Sequence, residues 1–149
     1  DPDLLRTVTE AMNTHESYFF RDVKPFDTLR KDVLPALIKA RRKTNPLRIW
    51  CAACSTAQEP YSIAMLITAD FPELKNWRPE ILGTDISKKI LDRAGAGLYS
   101  HLEVQRGLPM TMLVRFFRQC GRDWQIDPKI CEMVDFKQVN LLEPYTNLG

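Results

Sequence analysis

Four polar residues at the ends of apolar runs could do chemistry in this chain. Glu59 follows a string of small side chains, Ala52-Ala53-Cys54-Ser55-Thr56-Ala57, and precedes Pro60. A carboxylate at a helix start is favoured by the helix dipole and can hold an ammonium or hydroxyl group; standing alone it is an ordinary first-turn acid. Asp85 ends the run Glu80-Ile81-Leu82-Gly83-Thr84. In a doubly wound sheet an acid there accepts hydrogen bonds from ribose hydroxyls, and its structural alternative is a turn before the helix capped by Ser87. Asn140 follows a third run and could read a heterocycle through its amide donor and acceptor. Arg21 stands beside Phe19 and Phe20 in a polar, aperiodic segment of the kind that folds over a site; otherwise the rings dock the loop and Arg21 is solvated.

Cys51 and Cys54 form a Cys-x-x-Cys after Trp50, the spacing of a thiol redox centre. A redox helix would start at the first cysteine, whereas Pro60 starts this one later. Buried small thiols lining a turn are the alternative. A zinc site needs two more ligands, and Cys120 and Cys131 do not form a second knuckle, so no metal is expected. With no secretory signal in view, the four cysteines are expected to be free.

The elements that must position these groups follow from periodicity. Ile49–Cys51 reads as a buried strand, 52–57 as a tight turn and Pro60–Ala69 as a helix, with proline in its first turn. Small residues in such a turn admit a ligand to the backbone, and the free N–H groups of the next helix face the crevice. There is no G-x-G-x-x-G and no P-loop ending, which favours a ligand without phosphates. Glu80–Asp85 and Met133–Val139 read as further strands, and Trp124–Ile126 as a short one. Pro2–Met12, Pro25–Arg42 and Pro109–Cys120 read as amphipathic helices, the second ending in Arg41, Arg42 and Lys43, which complement its dipole. The pattern is α/β.

Composition narrows the class. At 149 residues, with 44% hydrophobic residues, 21 basic and 19 acidic side chains and a net charge of +2, one globular domain is expected. That balance gives no field for nucleic acid, and no apolar run reaches membrane-spanning length. With no signal peptide in view, the expected setting is cytoplasmic.

Four stretches, in order, carry a resemblance: Met12-Asn13-Thr14-His15-Glu16-Ser17-Tyr18-Phe19-Phe20-Arg21-Asp22, the run from Ile49 to Met65, Thr84-Asp85-Ile86-Ser87 and Val139-Asn140-Leu141-Leu142. Together they resemble the CheR-type chemotaxis receptor glutamate O-methyltransferases. The resemblance implies a Rossmann-like class I fold dependent on S-adenosylmethionine, with S-adenosylhomocysteine as product. The fold would be partial, with about three principal strands. Residues 1–24 would be the end of an N-terminal helical domain and a cofactor loop, and residues 25–149 the first part of the cofactor domain. By the same resemblance His15, Ser17, Arg21, Ala53, Glu59, Asp85, Asn140 and Leu141 contact the cofactor, and Arg21 also lies beside the reacting centre. Ala53 and Ala57 stand where the family has glycines and Gln58 where it has an acid.

The implied partners are the cytoplasmic helical bundles of chemotaxis receptors. Later strands and a receptor-tethering β-subdomain are expected to be absent, leaving a sheet edge open to self-association or to further chain. Two functions outside methyl transfer stay open: a non-catalytic docking module that keeps the cofactor, and a thiol redox protein using Cys51 and Cys54.

Overall fold

The computed structural model describes residues 1–12, 16–40 and 46–148. His15 and the basic triplet Arg41-Arg42-Lys43 lie outside the described residues. The order of elements is α1 (Pro2–Met12), α2 (Lys24–Thr28), which passes through a π-helical turn at Leu29–Val33 into α3 (Leu34–Ala40), β1 (Arg48–Cys51), α4 (Gln58–Asp70), a 3-10 turn at Pro72–Trp77, β2 (Glu80–Asp85), α5 (Lys88–Ala96), β3 (Leu98–Ser100), α6 (His101–Gln105), α7 (Met110–Phe116), β4 (Phe117–Cys120), β5 (Asp123–Ile126), α8 (Pro128–Cys131) and β6 (Val134–Gln138).

Strands β1, β2 and β6 form one parallel sheet in that order, with Ile49 beside Ile81 beside Val134 and Cys51 beside Gly83 beside Phe136. Both crossovers step the same way across the sheet, and α4 and α5 both pack against β2 and β6. α4 is buried without a break from Pro60 to Ile67, as expected for a helix that is apolar all round. Tyr61 ties it to α5 by donating its hydroxyl to the Ala94 carbonyl at 2.7 Å. The opposite face of the sheet carries Trp50, whose indole donates to Thr84 Oγ1 at 2.9 Å and whose ring packs on Tyr145.

A second, antiparallel sheet in the order β3-β5-β4 lies between α5 and β6 in the chain. Of it, sequence periodicity foresees only the short strand Trp124–Ile126, so an antiparallel β unit accompanies the main sheet where the sequence reading expected a receptor-tethering β-subdomain to be absent. Its strand β4 was read as the end of a helix running to Cys120. That helix stops at Phe116, because 117–120 pair with β5 and the Phe117 ring joins Phe19 and Tyr99 in an edge-on cluster. The expected core face of α7 is partly wet: Met110 is 70% exposed. Local capping is orthodox, with Ser87 accepting from the Ile90 amide and Ser100 and Glu103 forming a reciprocal capping box.

Two glycine substitutions test this packing in opposite directions. A Cβ at Gly83, in the central strand, would meet the Phe136 ring at 3.0 Å and Cys54 Sγ at 3.1 Å, whereas one at Gly95 on α5 meets nothing nearer than 3.9 Å. Gly83→Ala should therefore cost about 1–3 kcal/mol by overpacking. Gly95→Ala should gain about 0.5 kcal/mol by restricting the unfolded chain. Urea midpoints of the two variants read both signs.

Candidate functional site

The site is built where β1 and β2 end. Asp85, nearly buried, accepts the Ser55 amide on Oδ2 at 2.9 Å and the Ser87 amide on Oδ1 at 3.1 Å. One carboxylate thus closes the turn after β1 and the turn after β2. The Cys54 amide adds a bond to the Thr84 carbonyl at 2.8 Å. Between these anchors Ala53, Ser55 and Ala57 hold left-handed φ values of 51°, 52° and 73°. Each such residue stores about 1–2 kcal/mol that its surroundings must offset. Gln58 is buried under the turn, with its Oε1 accepting from Thr56 Oγ1 at 2.6 Å.

The second wall is the loop from Glu16 to Val23. Phe19 is fully buried, with its ring 5.0 Å from Tyr99 and 5.6 Å from Phe117. The Phe20 amide donates to Ser62 Oγ at 3.0 Å, and Ser62 donates in turn to the Gln58 carbonyl. Phe20, Asp22 and Val23 also have left-handed φ values, of 50°, 64° and 49°. Between them Arg21 is oriented by donating from Nη1 to the Glu16 carbonyl at 2.8 Å.

The two walls enclose a cavity of about 400 Å³, within the roughly 300–1,000 Å³ range of small-molecule sites. Ser17, Arg21, Ala53, Glu59, Asp85, Asn140 and Leu141 all line it, so the structure brings together every sequence candidate within the described residues. Asn140 does so through its turn. Its Oδ1 accepts the Leu142 amide at 3.0 Å and its Nδ2 donates to Glu143. Sequence reasoning missed seven of the lining residues, Glu16, Tyr18, Cys54, Ser55, Ile86, Val139 and Leu142. Ile86 left a trace: an apolar side chain between a strand end and a helix cap, with no core face to occupy.

Burial pushes the Cys51 thiol far up, helped by the Glu59 carboxylate that accepts its hydrogen bond, and pushes Cys54 up to about 12, with Asp85 adding to the effect. Both are neutral thiols near neutral pH, which opposes the redox alternative, because the thiolate is the nucleophile. Among the described residues no group of three or more His, Cys, Asp or Glu side chains is placed to hold a metal ion. No helix among them is long and apolar enough to cross a membrane. At pH 8 Cys54 should remain a neutral thiol. Mass-spectrometric mapping of iodoacetamide labelling should find exposed Cys120 modified well before Cys51 or Cys54.

Comparison with known proteins agrees with this geometry. Residues 15–149 match the family described as CheR methyltransferase, SAM binding domain. Chemotaxis protein methyltransferase 1 of Pseudomonas aeruginosa is 42% identical over 98% of this chain and 54% of its own length. Chemotaxis protein methyltransferase 1 of Vibrio cholerae is 37% identical over 99% of this chain and 54% of its length. A chemotaxis protein methyltransferase of Borreliella burgdorferi is 33% identical over 90% and 48%. The chain spans about half the length of these relatives. It belongs to the CheR methyltransferase family, of which it carries the S-adenosylmethionine-binding domain.

Proposed function

We propose that this chain forms the cofactor-binding part of a protein-glutamate O-methyltransferase acting on the cytoplasmic domains of chemotaxis receptors. The observation that carries the proposal is the meeting of Arg21, Glu59, Asp85 and Asn140, from four separate stretches, in one cavity. A docking module would have no need to converge these groups.

When bound, S-adenosylmethionine supplies an electrophilic methyl group on a sulfonium. Glu59 is suited to hold the ammonium of its amino-acid end by a charge-assisted hydrogen bond. Asp85 is suited to the ribose hydroxyls through lone pairs beyond the two already given to backbone amides. The 140–142 turn and Ile86 supply the apolar contacts for the base. Ser17 and the exposed backbone at Ala53 complete the walls.

The rest of the chemistry needs no general base, since a glutamate of pKa about 4.3 is already a carboxylate near neutral pH. The residues lining the cavity would hold the sulfonium so that one carboxylate oxygen could take its methyl group, the thioether keeping the electron pair of the broken carbon–sulfur bond. Arg21 orients that carboxylate through its guanidinium, leaving the attacking oxygen clear, and proximity at about 3 Å supplies the main acceleration.

Calorimetric titration with S-adenosylhomocysteine should show saturable binding, weakened about tenfold or more by Glu59→Gln, since a hydrogen bond to a charged group is worth about 1.5–3 kcal/mol. Asp85→Ala is a poor control because it opens both turns. A folded chain that takes up no ligand would overturn the assignment. The glutamate substrate has its own test in the intact protein: label transferred to receptor membranes should be released as methanol by mild alkali, as esters are and methylamines are not.

A further inference from the structure

The antiparallel unit of β3, β5 and β4, with α6 and α7, contributes no lining residue to the cavity among those described, yet it touches both cavity walls. Tyr99 on β3 donates its hydroxyl to the Thr56 carbonyl at 2.6 Å, which reaches the turn after β1. Its ring and that of Phe117 grip Phe19 in the opposite wall. The closest approach comes after α6. Gly107 has φ +81°, and a Cβ on it would collide with the Phe19 carbonyl oxygen and stand 3.0 Å from the Tyr18 ring. Next to it the Arg106 guanidinium lies 4.5 Å from the centre of the Tyr18 ring and 3.4 Å from the Glu16 carboxylate. Tyr18 and Glu16 both line the cavity.

We propose that the Arg106-Gly107 turn is a positioning clamp, which holds the strained 16–23 loop so that Ser17 and Arg21 face the cofactor cavity. The physical need is plain. Three left-handed non-glycine residues flank Arg21, and a loop carrying that strain relaxes unless its neighbours over-determine it. Phe20 is held from the α4 side by Ser62, and the clamp holds the side away from it. Gly107 is required because only a residue without Cβ lets the two backbones lie in contact. Arg106 adds a cation over the Tyr18 face. Neither residue lines the cavity; both act through the loop.

The structure supplies a matched control. Gly121, in the turn between β4 and β5, has φ +62°, but a Cβ there meets nothing within 4 Å. Gly107→Ala and Gly121→Ala therefore carry the same kind of backbone strain, and only the first pushes on the loop. In the full chain, hydrogen exchange at the Phe20 amide and its neighbours in 16–23 should be at least fivefold faster in Gly107→Ala than in Gly121→Ala. Affinity for S-adenosylhomocysteine should fall at least fivefold in the same comparison. Arg106→Gln, at an exposed position, keeps the test alive if Gly107→Ala does not fold: it should loosen 16–23, and Arg106→Lys should restore protection. Exchange and affinity that match between the two alanine variants, or an Arg106→Gln chain as protected as the unaltered one, overturn the clamp. The affinity arm rests on the cofactor assignment and the exchange arm does not. An unaltered chain that binds no S-adenosylhomocysteine counts against that assignment alone, and exchange then decides the clamp.

Discussion

The site depends on one buried carboxylate that accepts a backbone amide on each oxygen before any ligand arrives. Asp85 takes the Ser55 amide on one oxygen and the Ser87 amide on the other, so the ends of two adjacent parallel strands are joined through a single side chain. Amide donors in such turns must be paired when buried, and a carboxylate is the side chain that can accept several at once. Its negative charge is matched by two oriented N–H dipoles and by the start of α5, capped two residues later at Ser87. The turn after β1 then reaches conformations that alanine and serine resist, because the anchors on either side leave it no alternative.

From that anchor the structure works outward through hydroxyl groups. Tyr61 joins α4 to α5, Tyr99 joins the antiparallel unit to the turn after β1, and Ser62 joins α4 to the loop carrying Arg21. Each buried hydroxyl has a hydrogen-bonding partner, which makes it a pin rather than a liability. Their rings fill the interior at the same time: Tyr61, Tyr99, Phe19, Phe117 and Phe136 form a chain of edge-on contacts from the parallel sheet to the small one. The cavity walls are thereby fixed by groups that do not line them.

Much of this was legible in the sequence, for reasons that vary by element. Strand β2 was bounded at Glu80 and Asp85 because a continuous apolar run ends at a turn acid, β1 was legible as an apolar run that breaks into small residues, and β6 as an alternating one. The Ser87 cap was visible because it is a local hydrogen bond. Of the antiparallel strands only β5 was visible, as the short run Trp124–Ile126. Phe116 and Phe117 continue the helical spacing of Met110 and Leu113, and what turns the chain into β4 is pairing with Trp124 and Gln125, which no local pattern records. Asp85 and Asn140 stand out in the sequence and line the cavity, but their bonds to backbone, which shape the turns they sit in, are spatial facts. The Arg106-Gly107 approach to Phe19 joins residues almost ninety positions apart.

The titration pattern follows the same logic. The groups that burial shifts, Cys51, Cys54, Cys131, Tyr61 and Tyr99, are all pushed toward their neutral forms, so near pH 7 they present hydrogen-bond donors and no charge. An enzyme that must move a proton tunes an acid or a base toward working pH. Transfer of a methyl group from a sulfonium to an already ionised carboxylate moves none. For the proposed reaction the useful property of a site is fixed geometry, which a cage of neutral tyrosines and thiols behind two strained loops would supply.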